Sequence, residues 1–154
     1  MDTAIINDTT TDLGPGEWID DIPDMEGVEL LVRSTNFKPY QVAVAGLARR
    51  LGKKMKTDEG LHHFSVAMGK PLAEHILLDW KGVTNGGEPL AFTGDVAVQI
   101  LTSDDPHGIG AAFRRGVEWA GDQVAERISA KAKEAAGNSR KPSAGGSKTA
   151  SSGD

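Results

Sequence analysis

Apolar residues recur along the chain with two different periods, and the change of period separates strands from helices. In residues 28–34 every second residue from Val28 to Val32 is apolar, while the face between them carries Glu29, Leu31 and Arg33, which is typical of a half-buried strand. Residues 17–20 predict a partner strand, and the two segments are expected to form a hairpin with a long loop. The residues that we expect to pack this hairpin on the first helix are Trp18, Val28, Leu30 and Val32.

The first helix is predicted by apolar residues that recur every three or four positions between Tyr40 and Met55. Pro39 is expected in its first turn, where a missing N–H costs nothing. Gly52 weakens this helix in the prediction but does not end it. The pattern therefore indicates one amphipathic helix of about four turns.

Capping residues and a proline divide the next helical segment. Thr57 predicts the N-cap of a second helix. Pro71 predicts a break, because proline lacks an N–H and clashes with the carbonyl four residues earlier. We expect a further helical piece after the break, through about Trp80.

The last third of the chain begins with a turn and continues with two helices. Residues 81–90 contain Asn85-Gly86-Gly87 and predict a loop or a tight β-turn. Thr93 is expected to cap a short helix. Residues 103–106 are expected to end that helix and to start the last one, with Pro106 near its first turn and Gly137 at its end.

These elements together predict an α+β fold that is mainly α. It has a short N-terminal β-hairpin followed by four or five helices and a disordered C-terminal tail. The length of 154 residues suits one domain with polar ends. We expect a mobile acidic arm over residues 1–14, a single α+β domain over 15–136 and a disordered tail over 137–154.

Charge is distributed unevenly along the chain. The formal net charge is −5, yet residues 1–26 hold eight acidic and no basic residues, so the remainder is close to neutral. A nucleic-acid-binding domain usually carries a strong basic excess, so nucleic acid is not an expected partner. The N-terminus has no basic start followed by an apolar run, and no apolar stretch reaches the length of a membrane span. We expect a soluble protein with no signal peptide.

Candidate chemistry is sparse. The chain has no cysteine, which excludes disulfides and thiolate sites. Its histidines show no metal-ligand spacing. Asp104, Asp105 and His107 could serve acid–base chemistry, but an acidic residue before a helix is more often a cap. We therefore expect no catalytic residue, no cofactor and no metal, and hence no enzyme. The four histidines are His62, His63, His75 and His107.

Two sets of residues are candidates for binding a protein partner. The first is a basic cluster that is either a docking patch or a solvated helix face, and its members are Arg49, Arg50, Lys53 and Lys54. The second is apolar and either fills the core or anchors a partner, and its members are Trp80, Phe113, Trp119 and Val124. Small residues around the last three would let another helix approach closely.

The order of these features resembles that of the tail assembly chaperones of long-tailed bacteriophages. The resemblance covers about residues 17–130. It is carried by Glu17-Trp18-Ile19-Asp20, by the alternating segment 28–34 and above all by residues 77–93. That last segment runs Leu-Leu-Asp-Trp-Lys-Gly-Val, then a glycine turn, then Pro-Leu-Ala-Phe-Thr.

The resemblance implies a function exerted through surfaces. Such chaperones accompany the tape measure protein, help recruit tail tube subunits and are typically absent from the mature virion. Many are made in two lengths by a programmed ribosomal frameshift. It implies the host cytoplasm as the location, and the tape measure protein and the tail tube protein as partners, with a homo-oligomer left open. The family offers no catalytic residues.

Two other functions remain as alternatives. A structural head–tail or tail completion protein of the virion would stay in the particle, whereas a chaperone would leave it. A small helical DNA-binding regulator is the lower alternative, and only the basic residues from Arg49 to Lys56 support it.

Overall fold

A computed structural model describes residues 15–143 of the protein, with side chains described through residue 136. The arm predicted over residues 1–14 and most of the predicted tail lie outside the described residues. The chain divides into two compact units, of which the first ends at Val124 and the second begins at Ala125. The described part of the second unit is the last stretch of the C-terminal helix.

A three-stranded antiparallel sheet begins the first unit. β1 (Glu17–Ile19) pairs with β2 (Glu29–Val32), and β2 pairs with β3 (Leu77–Lys81). The alternation in β2 is confirmed, because Leu30 and Val32 are fully buried. The expectation for Trp18 is wrong, since it pairs opposite Leu31 on the other face and stays 36% exposed.

Helix α1 (Lys38–Leu51) has its proline in the first turn, as predicted. It ends earlier than expected, because Gly52 adopts a φ of 49° and the chain continues as a 3₁₀ turn, Gly52–Lys56. Only glycine adopts such a backbone at little cost, so this residue ends the helix instead of only weakening it.

The segment after α1 contains the largest departure from the sequence prediction. Helix α2 (Asp58–Ala67) starts at the predicted cap, where the Thr57 hydroxyl accepts from the Gly60 N–H at 3.0 Å. A single turn, α3 (Gly69–Pro71), and a π turn, Leu72–Ile76, follow. The prediction of a helix through Trp80 is wrong, because the chain changes to strand β3 at Leu77.

The connection to the last helices confirms the predicted turn and cap. β4 (Thr84–Asn85) and β5 (Glu88–Pro89) form a small hairpin across Gly86 and Gly87, both with positive φ. Helix α4 (Gly94–Leu101) is capped by the Thr93 side chain.

Helix α5 (Ile109–Ser143) differs from the prediction at both ends. It begins three residues after Pro106, which lies in the preceding turn and not in the helix. It also continues past Gly137, so this glycine does not end it. The fold class is nevertheless confirmed as α+β and mainly α, with the antiparallel strands near the N-terminus.

The core of the first unit lies between the sheet, the π turn, α4 and the first part of α5. Leu30 and Val32 of β2 have no exposed surface and pair opposite Trp80 and Leu77 of β3. The side chains that are almost completely buried include Ile19, Leu72, Ile76, Leu101, Val117 and Val124. Helix α1 contributes only Tyr40 and Leu47 to the buried set, and α2 only Gly60.

Candidate partner-binding groove

The predicted apolar anchors lie mainly in the protein's own core. Trp80 is 6% exposed and donates its indole N–H to the Leu90 carbonyl at 2.7 Å. Its ring meets the rings of Phe92 and Phe113 edge to face. Val124 is 1% exposed. The structure therefore corrects the assignment of Trp80 and Val124 to a partner surface and supports the core alternative.

The small residues of α5 also serve the core. A Cβ on Gly116 would strike the Met25 sulfur of the β1–β2 loop, and a Cβ on Gly121 would lie 2.8 Å from the Thr35 methyl group. The close helix approach that these residues permit is thus made by segments of the same chain. Phe113 and Trp119 are half-buried, so only the exposed part of each side chain is available to a partner.

The basic cluster divides into two pairs. Arg50 and Lys54 line cavities between α1 and α2, whereas Arg49 and Lys53 line none of those described. Arg49 and Arg50 are neighbours in the last turn of α1, whereas Lys53 and Lys54 lie in the 3₁₀ turn beyond Gly52. All four side chains are exposed, yet only the first pair faces a concave surface.

That concave surface is a groove of about 540 Å³ between α1 and the α2–α3 segment. Its apolar lining comes from Ala43 and Leu47 on one side and from Val66, Ala67 and Pro71 on the other. Leu47 and Pro71 are buried and form the floor, and the other three are half-buried. The alanines leave room for another backbone to approach closely.

A second cavity of about 340 Å³ extends the groove toward the 3₁₀ turn. His63 lines both cavities, so they adjoin at its side chain, and Leu51 and Lys54 continue the α1 side. Gly60 fixes the two sides at this end, because a Cβ there would collide with the Lys54 carbonyl. This groove was not predicted from the sequence. The i, i+4, i+8 spacing of Ala43, Leu47 and Leu51 is the signal that indicates its α1 side.

Charged residues border the groove. Arg50 and Lys54 lie on the α1 side, while Lys70 and Glu74 lie opposite. Within residues 15–136, none of these four side chains makes an ion pair. Ion pairs elsewhere join His62 to Asp104 at 3.0 Å and Arg115 to Asp24 at 3.8 Å.

Asp105, one of the residues considered for acid–base chemistry, serves as a helix cap. Its carboxylate accepts from the N–H groups of Gly110 at 2.9 Å and Ile109 at 3.0 Å. These backbone N–H groups, with a smaller contribution from the Ser103 hydroxyl, lower the pKa of Asp105 to about 2. This arrangement begins α5, as the capping alternative predicted.

Other titratable groups near α5 have structural contacts. Arg114 donates to the carbonyls of Leu101 and Ser103 at 2.8 and 2.9 Å, and so covers the end of α4. Burial lowers the pKa of Arg114. Burial raises the pKa of Glu118, and the Asp122 carboxylate raises it further. Within the described residues no three His, Asp or Glu side chains are grouped to hold a metal ion.

Comparison with known proteins gives one family match. A family described as YdaY prophage protein matches residues 35–138, about two thirds of the chain. The match begins after β2 and includes both sides of the groove. No curated protein and no solved structure matches the chain. Between residues 15 and 143, no helix is long and apolar enough to cross a bilayer.

Proposed function

This chain belongs to the YdaY prophage protein family, and we propose that it acts as a tail assembly chaperone. In this role it binds the tape measure protein of its phage in the host cytoplasm, helps recruit tail tube subunits and leaves before the virion is complete. It binds and releases its partner without catalysis. The phage setting rests on the family match, and the tail role rests on the resemblance of residues 17–130 to such chaperones.

The observation that carries the proposal is the groove between α1 and the α2–α3 segment. Helix-in-groove recognition needs a concave apolar floor with polar borders. The floor at Leu47 and Pro71 and the charged borders at Arg50 and Lys70 meet this requirement. A long helical protein that is still unassembled exposes apolar stripes and tends to aggregate. A chaperone that covers such stripes prevents this.

Co-expression tests the proposal. The partner is the tape measure protein encoded in the same prophage, produced alone or with this chain. We expect the partner alone to be insoluble, and to become soluble and co-purify when this chain is present. Unchanged solubility, no co-purification and a stoichiometric presence of this chain in mature particles would refute the chaperone role in favour of a head–tail or tail completion protein.

A matched pair of variants assigns the effect to the groove. Ala43 lines the groove, whereas Ala45 is exposed and lies about 200 degrees away around the same helix. We expect Ala43→Trp to fill the groove and abolish co-purification, and Ala45→Trp to leave it intact. Equal behaviour of the two variants would show that the chaperone uses another surface.

A further inference from the structure

We propose that the groove selects an amphipathic helix whose carboxylates lie along the α1 side, opposite Arg50 and Lys54. This inference rests on the proposed function for the partner's identity and adds its chemistry and orientation. The occupant is a helical protein segment with an apolar stripe and acidic residues on one flank.

The α1 side of the groove supplies the selectivity. Arg50, in the last turn of α1, and Lys54, in the 3₁₀ turn that follows, border the two adjoining cavities in succession along the groove. No acidic residue lines this side of either cavity. Carboxylates along one flank of a bound helix would complement these two cations, and basic side chains on that flank would be repelled.

The floor sets the size and apolar pattern of the occupant. Within α1 the groove extends from Ala43 to Leu51, which at 1.5 Å per residue corresponds to about 12 Å, or rather more than two helical turns. Apolar contacts are concentrated at Leu47, Val66 and Ala67. An apolar stripe at i, i+3/i+4 and i+7 on a bound helix spans about 11 Å and fits this length.

The opposite side makes the recognition directional. It carries Lys70 and His63, but also Glu59 and Glu74 at the two ends. An acidic flank therefore finds no continuous cationic partner on that side. A helix with one acidic flank is held in one orientation about its own axis, with the carboxylates toward α1.

The border cations are available for this contact. Across residues 15–136, neither Arg50 nor Lys54 makes an ion pair, so a partner breaks no existing bridge when it binds. The Lys54 backbone is held in place, because its carbonyl accepts from both the N–H and the hydroxyl of Thr57. The site is in this respect organised before the partner arrives.

The test uses two synthetic helical peptides of about 18 residues, a length that leaves room for frayed ends. Both carry the same leucine stripe, and one flank carries glutamate in the first and lysine in the second. Binding to the full chain is measured by fluorescence anisotropy at about 0.15 M salt. The variants are Arg50→Glu/Lys54→Glu and, as control, Arg49→Glu/Lys53→Glu, which makes the same change of residue types and net charge at neighbouring positions that line neither cavity.

We expect the acidic peptide to bind the wild type and the control with affinities within about threefold of each other, and the Arg50→Glu/Lys54→Glu variant about tenfold more weakly. The basic peptide should prefer that variant to the wild type, which also shows that the variant is folded. Equal losses in both double variants would overturn the inference, because the effect would then be one of net charge. Equal binding of both peptides to the wild type would also overturn it.

Failure of this inference and failure of the proposed function are distinguishable. If the peptides do not discriminate but the tape measure protein still co-purifies, the chaperone role stands and the acidic selectivity is wrong. If the peptides discriminate as expected and the tape measure protein is not solubilised, the groove binds acidic helices but the partner is a different protein.

Discussion

The sheet region and the helical pair α1–α2 use their side chains differently. In the sheet region, Leu30 and Val32 have no exposed surface, and Trp80 is enclosed by two aromatic rings. In the α1–α2 pair the apolar residues are mostly half-buried and line an open groove. Complete burial stabilises the fold, whereas partial burial leaves apolar surface that a partner can cover. Under the proposed function, stability therefore rests on the sheet region and recognition on the α1–α2 pair of the same unit.

The largest effect on stability is expected at the centre of the sheet. Leu30 pairs opposite both Ile19 and Trp80 and is fully buried. Leu30→Ala should lower the free energy of unfolding by about 2–5 kcal/mol, because it leaves a cavity that the sheet cannot close. Urea denaturation measures the change. Glu29→Ala is the control, and equal losses at both positions would contradict the observed register.

A smaller loss is expected from the buried hydrogen bond of Trp80. Trp80→Phe keeps an aromatic ring but removes the N–H that reaches the Leu90 carbonyl. We expect a loss of about 1–3 kcal/mol in urea denaturation, since the carbonyl is left without this donor. Trp18→Phe is the matched control on the outer face of the sheet, where Lys81 lies over the ring at 4.1 Å. An equally large loss of unfolding free energy for Trp18→Phe would contradict the assignment of Trp80 to the buried face of the sheet and of Trp18 to the outer face.

The cap of α5 makes a further, pH-dependent contribution. The folded-state pKa of Asp105 is lowered from 3.8 to about 2, so its contribution to stability is present above about pH 4 and is lost as the pH falls through 2. Asp105→Asn retains a capping oxygen but no titrating group. We expect the variant's melting temperature to depend less steeply on pH between 4 and 2. An unchanged dependence of melting temperature on pH would show that Asp105 does not contribute to acid-dependent stability. Asp104→Asn, at the neighbouring carboxylate, is the control.

The smallest effect on stability is expected at the border of the groove. Arg50→Glu/Lys54→Glu replaces two exposed side chains that make no ion pair within the described residues. We expect the free energy of unfolding to change by less than about 0.5 kcal/mol, although binding of the acidic peptide falls about tenfold. A large loss of stability would mean that these residues belong to the folding part of the molecule, and the comparison between the two regions would fail.

The sequence predicted the elements whose signals are local. The alternation at Leu30 and Val32 marked a strand, and Thr57 and Thr93 marked helix starts, because a capping hydroxyl acts within three residues. Strand β3 was missed for the opposite reason. Leu77 and Leu78 continue an apolar run whose length does not distinguish helix from strand. The segment is a strand because it pairs with β2, which lies more than forty residues earlier in the chain.

The candidate site was predicted in part. The basic residues were recognised as a cluster, but their division into a groove pair and an outer pair depends on where α2 lies. The collision that a side chain at Gly60 would make with the Lys54 carbonyl fixes that position, and no sequence pattern expresses it. Trp80 and Val124 were ambiguous because large apolar residues serve cores and interfaces alike.

The pairing of β2 with β3 has a practical consequence for the limits of any fragment. The family match begins at residue 35, after β2 has ended at Val32. A fragment cut at that boundary would lose the strand that pairs with one edge of β3, including Leu30, which lies opposite Trp80. An uncovered strand edge beside an exposed aromatic is a template for intermolecular pairing. We expect a fragment starting at residue 35 to aggregate on size-exclusion chromatography, and one starting at Pro15 to remain a discrete species.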